Sequence, residues 1–149
     1  MIIYIASDHR GFKLKETLKI YLVNSGYTVH DLGNDHYDEN DDYPDFAIKV
    51  SEKISEDSIN NRGILLCGSG IGVDIVANKF HNVRSSLVFS PDQAYMARND
   101  DDANILSLAA TILDEEKAKK IVSVWLQTPF SAAERHKRRL EKIKNLENR

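Results

Sequence analysis

The sequence predicts an α/β fold in which helices cover both faces of a mainly parallel, five-stranded sheet. Two observations lead to this fold class. Short apolar runs of strand length alternate along the chain with longer segments whose apolar residues recur at helical spacing. Strand and helix follow each other throughout, which requires right-handed crossovers between parallel strands. We therefore expect a Rossmann-like, three-layer α/β/α sandwich that binds ligands at the carboxyl ends of its strands.

The predicted strands are short runs rich in branched apolar residues. They extend from Ile2 to Ala6, Tyr27 to Leu32, Gly63 to Cys67, Val83 to Phe89 and Ile105 to Ala109. Because each run is almost wholly apolar, we expect all of these strands to be buried.

The predicted helices carry their apolar residues on one face, as Leu14, Leu18 and Leu22 do in the first of them. The helices extend from Phe12 to Asn24, Asp45 to Ile54, Ile71 to Phe80, Pro91 to Asn99, Asp114 to Gln127, and from about Ser131 onward. No linker or repeat interrupts the pattern, so residues 1–149 are expected to form a single domain.

Composition argues against several classes of partner. The chain has 20 basic and 23 acidic side chains, and its formal net charge of -3 gives no indication of nucleic-acid binding. The first residues reach an acid, Asp8, without a basic region or a long apolar stretch, which argues against a signal peptide or membrane span. A single cysteine excludes an internal disulfide and suits a reducing compartment. We expect a cytoplasmic protein.

The segment from Cys67 to Gly72 reads Cys-Gly-Ser-Gly-Ile-Gly and joins the third strand to a helix. Glycines let a ligand approach the backbone, and the first N–H groups of a helix attract negative charge. An enediolate or a phosphate would suit this turn. Its spacing differs from the dinucleotide fingerprint, and the Lys-Ser/Thr ending of a phosphate-binding P-loop is absent, so nucleotide binding is disfavoured.

Cys67 ends the third strand at the mouth of this glycine turn. The turn would stabilise a thiolate there, and a thiolate can act as a proton-abstracting base. A cysteine that ends a buried strand is also commonly a small apolar side chain with no chemical role. The sequence pattern leaves both interpretations open.

Polar residues also follow the first strand, where Asp8 and His9 are expected at the same edge of the sheet. Asp8 could simply cap the next helix, but capping does not explain the imidazole beside it. Tyr43 stands before a proline that suits the start of a helix, and a turn is the simpler interpretation of that segment.

Arg135 and Arg139 lie four residues apart on one face of the last helix, an arrangement that suits a phosphate group. The alternative is a solvated basic helix. The histidines are scattered without ligand spacing and only one cysteine is present, so we predict no metal site.

Several spaced motifs together resemble the ribose-5-phosphate isomerase B family and the related galactose-6-phosphate isomerase subunits. They are Ser-Asp-His-x-Gly from Ser7, Asp-Tyr-Pro from Asp42, Cys-Gly-Ser-Gly-Ile-Gly from Cys67 followed by Ala-Asn-Lys from Ala77, Asp-Ala-Asn from Asp102 and Arg-His-x-x-Arg from Arg135. They occur in the family's order over nearly the whole chain. The resemblance implies a homodimer whose sites combine residues of both subunits and need no metal or organic cofactor, and it leaves open whether dimers pair further into tetramers.

The resemblance further implies an aldose–ketose isomerase of the pentose phosphate pathway that interconverts ribose 5-phosphate and ribulose 5-phosphate through a cis-enediolate. Cys67 would remove the proton from C2, while Ser69 and the backbone amides of the turn would hold the enediolate oxygens. Those amides belong to Gly68, Gly70, Ile71 and Gly72. Some family members use a glutamate base a little later, where this chain has Val73.

Other roles follow from the same resemblance. Asp8 and His9 would bind the sugar near its ring oxygen and assist ring opening, and Tyr43 would line the pocket. The C-terminal helix would pack on the partner subunit, and Arg135 and Arg139 would hold the phosphate across the interface.

The chain departs from the family pattern at three positions. Asp100 and Asp101 stand where the family has a histidine proton donor followed by asparagine, and Thr111 stands where it has a substrate-binding arginine. Asp100 would still donate a proton if burial or Asp101 kept it protonated, which we state as a hypothesis. These departures leave two alternatives open. One is an isomerase of a six-carbon sugar phosphate such as galactose 6-phosphate or allose 6-phosphate, and the other is a catalytically silent sugar-phosphate-binding protein.

Overall fold

The structure, a computed structural model, describes residues 1–147 and alternates strands with helices. In chain order its elements are β1 (Ile2–Ser7), α1 (Phe12–Asn24), β2 (Thr28–Asp31), α2 (Tyr43–Glu56), β3 (Arg62–Cys67), α3 (Ile71–Ala77), β4 (Ser85–Leu87), α4 (Pro91–Asn99), β5 (Ile105–Ala109), α5 (Glu115–Gln127) and α6 (Glu134–Glu147). The predicted α/β fold with its five-stranded parallel sheet is confirmed.

All strand pairs are parallel, and the strands lie side by side in the order β2-β1-β3-β5-β4. From β1 the chain moves outward to β2, and then crosses back over β1 to reach β3 on its other side. The carboxyl ends of β1 and β3 therefore flank the point at which the strand order reverses, where parallel sheets form their ligand crevice. Ser7 pairs with Leu66 in register, which brings Asp8 and Cys67 to the same edge.

Our prediction that all strands are buried is wrong for the two edges of the sheet. The central strands β1, β3 and β5 are mostly buried, whereas β2 alternates between exposed and partly buried residues and β4 is only partly buried. An edge strand has one neighbour, and its other side faces loops or solvent. β4 is also shorter than predicted. Val83 and Val88 are buried as expected, but they lie outside the residues that pair with β5.

Helices cover both faces of the sheet, as expected of three layers. On one face α1 and α5 supply a core that includes Leu18, Leu22 and Trp125. On the other face α2 and α3 supply Val50 and Val73, among others. Within residues 1–147, no helix is long and apolar enough to cross a membrane.

The helix boundaries differ from the predicted ones by a few residues. α2 begins two residues early, so that Tyr43 belongs to its first turn, and α3 ends at Ala77 instead of Phe80. α6 begins at Glu134, and His136 is its one buried residue within the part of the chain that the structure describes.

A buried lysine fixes the loop between β2 and α2. Lys15 on α1 is fully buried, and its Nζ donates hydrogen bonds to Asp31 Oδ2 at 2.6 Å and to the backbone carbonyl of Asn34 at 2.7 Å. Lys19 donates to the same Asp31 oxygen at 2.8 Å. Burial opposes ionisation of Asp31, but these bonds outweigh it and lower its pKa. Asn34 in turn donates to Asp41, so Lys15 supports a loop that reaches the edge of β1.

We expect Lys15→Met to destabilise the protein by about 2–3 kcal/mol, because it removes one partner of a buried ion pair and leaves the Asn34 carbonyl without its donor. Lys19→Met is the matched control. Its side chain is 31% exposed, so loss of its charge should cost about 1 kcal/mol or less. Urea unfolding of both variants measures the difference, and equal midpoints would contradict this assignment.

Candidate active site

A cavity of about 320 Å³ opens at the carboxyl edge of the sheet between β1 and β3. The loops that follow β1 and β3 form two of its walls, and the loop before α2 forms the third. Of the predicted site residues, it is lined by Asp8, His9, Tyr43, Cys67, Gly68, Ser69 and Gly72. A larger groove of about 610 Å³ runs along α6, but it contains neither the cysteine nor the glycine turn. Because the cysteine and the glycine turn line only the smaller of these two cavities, we take that cavity as the candidate site. Its size suits a small ligand.

The glycine turn adopts a backbone that only glycine accommodates at its centre. Gly70 has φ +74°, and a Cβ there would lie 2.4 Å from Leu87 Cδ1 and 3.0 Å from the carbonyl carbon of Leu108. At Gly72 a Cβ would lie 2.5 Å from Cζ of Tyr43, so the tyrosine ring packs directly on the turn. Close packing on both sides holds the turn in one conformation.

Cys67 lies at the floor of the cavity. Its side chain is 4% exposed, and its Sγ accepts a hydrogen bond from the Gly70 N–H at 3.0 Å. The glycine turn thus directs one backbone donor at this sulfur. Val73, where a glutamate base would otherwise stand, is fully buried in the core. Of the two positions, only the cysteine faces the cavity.

The loop after β5 supports the glycine turn from below. The carbonyl of Cys67 accepts the Ala110 N–H at 2.9 Å, and the carbonyl of Gly68 accepts the Thr111 N–H at 3.0 Å. The Thr111 hydroxyl donates to that same Gly68 oxygen at 2.6 Å. From the sequence, Thr111 was notable only because it replaces an arginine. In the structure its side chain forms a hydrogen bond that positions the turn.

Asp8 is 5% exposed, and this burial raises its pKa. Its Oδ1 accepts the Gly11 N–H at 3.0 Å, which closes the turn before α1. Gly11 is the N-cap of α1, and no side chain of residues 1–147 caps that helix, so the alternative that Asp8 merely caps the helix is wrong. The carboxyl group still lines the cavity.

His9 is paired with Asp41, a residue that our sequence analysis missed. The His9 Nδ1 lies 2.7 Å from Asp41 Oδ1, and the His9 N–H donates to the same oxygen at 3.0 Å. This hydrogen bond raises the pKa of His9. Burial acts to raise the pKa of Asp41, but the bonds from His9 and Asn34 outweigh it and lower that pKa. The pair favours a protonated imidazole at the cavity wall.

Three comparisons with known proteins agree with this geometry. A model of the ribose/galactose isomerase family matches residues 3–143. The chain is 36% identical to ribose-5-phosphate isomerase B of Escherichia coli (strain K12), over 95% of this chain and 93% of that protein. It is 39% identical to D-erythrulose-4-phosphate isomerase of Pectobacterium atrosepticum, over 86% and 84% of the two chains. The crystal structure of Mycoplasma genitalium ribose-5-phosphate isomerase B with bound ribulose 5-phosphate superimposes with a TM-score of 0.96, at 41% identity and over 99% and 96% of the two chains.

This chain belongs to the ribose/galactose isomerase family.

Gly70 and Ile71 complete the glycine turn, whereas the predicted site residues after α4 and on α6 lie away from the cavity of their own chain. Asp100 accepts a hydrogen bond from Asn99 Nδ2 at 2.6 Å and lies 3.7 Å from His136 Nε2. Arg135 Nε donates to the same His136 nitrogen at 3.1 Å, and Arg139 is exposed. Asp100, Arg135 and His136 form a cluster where α4 ends and α6 begins, and Arg139 lies one helical turn beyond Arg135. The structure does not bring this cluster to Cys67 within one subunit.

Burial is one of the two conditions that we named for Asp100 as a proton donor, and within one chain its side chain is 40% exposed. Asp101 lines the groove along α6 and does not reach the Cys67 cavity. Their roles in the isomerase site stay predictions.

Among residues 1–147, one group could hold a metal ion. Asp8, His9 and Asp41 each offer a ligand atom, and these atoms lie within 4.8 Å of one another. The His9 nitrogen and the Asp41 oxygen are already joined by the 2.7 Å hydrogen bond, so an ion would have to replace that bond. Our expectation of a site without metal stays a prediction.

Two further cavity residues were given no role from the sequence, although Asp42 opens the Asp-Tyr-Pro motif. Arg10 is the variable position inside the Ser7 to Gly11 motif, and Asp42 belongs to an acidic loop without either helix or strand period. The only sequence signal for Arg10 was its place beside Asp8 and His9.

The pairing of His9 with Asp41 predicts a pH dependence of stability. Because the folded pKa of His9 is raised, the stabilisation is complete below the ordinary histidine value of 6.5 and is lost as pH rises through the raised value. The melting temperature of the wild type should therefore fall relative to that of Asp41→Asn between about pH 6 and pH 8. Thermal unfolding of both proteins across this window measures the effect, and parallel curves would contradict the ion pair.

Proposed function

We propose that this chain is an aldose–ketose isomerase that interconverts ribose 5-phosphate and ribulose 5-phosphate through a cis-enediolate. One observation carries the proposal: the Sγ of Cys67 accepts the N–H of a glycine turn at the floor of a cavity that Asp8 and His9 also line. The bound ribulose 5-phosphate in the similar Mycoplasma genitalium structure supports the same substrate class here.

The reaction begins with ring opening. The hydroxyl on C1 loses its proton, the ring oxygen gains one, and the bond between C1 and the ring oxygen breaks. Asp8 and His9 are suited to this exchange, because burial raises the pKa of Asp8 and Asp41 raises that of His9. One group can thus take the proton of the C1 hydroxyl while the other gives a proton to the ring oxygen. The product is the open-chain aldehyde.

Isomerisation then needs one base and a site for negative charge. The Cys67 thiolate takes the proton from C2, and the electron pair of that bond moves to form the enediolate with charge on the C1 oxygen. The backbone amides of the turn and the Ser69 hydroxyl stabilise those oxygens. Cys67 then returns its proton to C1 while the proton of the C2 hydroxyl moves to the C1 oxygen, which gives the ketose and restores the thiolate. The substrate is rearranged without net oxidation, so these steps transfer no electrons to or from another molecule.

The role of Cys67 predicts that Cys67→Ala and Cys67→Ser lower kcat by about 10²–10⁴-fold, which is the usual contribution of a positioned general base. Ser69→Ala is the comparison variant. It removes one of several donors to the enediolate oxygens and leaves the base in place, so kcat should fall by about 10²-fold at most. Ribulose 5-phosphate formation is measured with purified, folded protein. Full activity in Cys67→Ala would overturn the proposal.

We further propose that the protein works as a cytoplasmic homodimer whose subunits complete each other's sites. Within residues 134–147, α6 buries only His136 and leaves Ile143 and Leu146 41% and 58% exposed. A second subunit that covers this face would bury them. It would also bring the cluster of Asp100, Arg135 and Arg139 to the neighbouring cavity, where the two arginines would hold the phosphate.

Mixed dimers test this arrangement. Cys67→Ala and Asp100→Asn should each be inactive alone, yet a mixed dimer has one site with both wild-type residues. After subunit exchange, random pairing gives about one quarter of the wild-type rate. A mixture that contains mixed dimers but stays inactive would contradict the shared site. Size-exclusion chromatography of the same samples distinguishes dimers from tetramers.

A different sugar phosphate is the second candidate, and Thr111 favours considering it. Thr111 places an uncharged side chain where the resemblance implies an arginine, and one relative is named D-erythrulose-4-phosphate isomerase. Relative kcat/KM on four-, five- and six-carbon aldose phosphates decides among these substrates. Binding without turnover on any of them would support a silent binding protein instead.

A further inference from the structure

Arg10 places its guanidinium directly on the glycine turn. A Cβ at Gly68 would lie 2.7 Å from Arg10 Nε and 2.8 Å from its Cζ, so only a glycine leaves room for this group. The side chain lines the same cavity as Cys67. Any side chain larger than hydrogen at residue 68 would move the guanidinium away from the turn.

The charges around Arg10 do not neutralise it. Three carboxylates line the cavity, those of Asp8, Asp41 and Asp42, and within residues 1–147 the side chain of Arg10 forms neither an ion pair nor a hydrogen bond with any of them. Asp8 and Asp41 instead bond to other groups of the loops. The donors of the guanidinium are therefore free for a ligand.

A phosphorylated substrate needs positive charge in this cavity. The lining carboxylates repel a doubly charged phosphate, and the other cation, His9, is already bonded to Asp41. Arg10 is the one permanently charged cation among the cavity-lining residues of the described chain. Its planar fork matches the oxygens of a phosphate.

We propose that Arg10 binds the phosphate group of the substrate, so that part of the phosphate site lies on the same chain as Cys67. The inference rests on the proposed function and names a further binding residue of that site. Cys67 lies at the cavity floor and Arg10 is exposed at its mouth. With C1 and C2 at the floor, the phosphate at the other end of the sugar points to the mouth, where Arg10 stands.

Thr111 contacts the same glycine but cannot supply the positive charge. Its hydroxyl is occupied by the Gly68 carbonyl and carries no charge. The positive charge beside Gly68 therefore comes from Arg10.

The test compares Arg10→Ala and Arg10→Lys with Lys13→Ala. Lys13 is exposed on the first turn of α1, does not line the cavity, and loses the same charge on substitution. At constant ionic strength, Arg10→Ala should raise the KM for ribose 5-phosphate about tenfold or more with kcat changed less than about threefold. It should raise the competitive inhibition constant of inorganic phosphate similarly. Arg10→Lys should lie between, and Lys13→Ala should match the wild type.

The inference is overturned if Arg10→Ala keeps the KM and phosphate inhibition of Lys13→Ala, or if it lowers kcat at an unchanged KM. Absence of turnover in the wild type would instead contradict the proposed function, and a second readout then judges Arg10 alone. Inorganic phosphate should slow alkylation of Cys67, the single cysteine of the chain, in the wild type and Lys13→Ala but not in Arg10→Ala. If inorganic phosphate slowed alkylation of Cys67 equally in all three proteins, Arg10 would not be the phosphate-binding residue.

Discussion

The tight contact between the turn after β3 and its surroundings is the constraint on which the site depends. The loop after β5 holds the turn by its carbonyls, and the Tyr43 ring packs on Gly72. Within the turn, the Gly70 N–H points at the Cys67 sulfur. Because these contacts fix the backbone, its amides are oriented before a substrate arrives and need no reorganisation as charge develops. The same constraint explains the small residues of the turn.

A second chain of contacts connects stability with the chemistry of the cavity. Lys15 is buried beneath the β2–α2 loop and holds Asn34, Asn34 donates to Asp41, and Asp41 pairs with His9. Each link is a hydrogen bond between groups with little exposure, so loss of one partner leaves the next without support. The protonation of His9 is therefore tied to a lysine that does not touch the cavity.

Local signals in the sequence were sufficient for the fold and for the floor of the site. The end of β1, the end of β3 and the glycine turn are contiguous motifs, and parallel pairing brings them to one edge without further information. Asp41 could not be found in this way, because it lies in an irregular loop whose path depends on the buried Lys15. Arg10 occupied a variable motif position, and only the contact with Gly68 shows where its charge lies. Asp100 lies outside the Cys67 cavity of its own chain, so no local signal could relate the two residues.

Proton transfer through Cys67 is tested most directly by isomerisation in D₂O, followed by NMR of the sugar carbons. The wild type should introduce deuterium at C1 of ribulose 5-phosphate, because the proton on the sulfur exchanges with solvent during the life of the enediolate. Cys67→Ala should introduce almost none over the same time. Deuterium entering at the wild-type rate in Cys67→Ala would show that another group moves the proton.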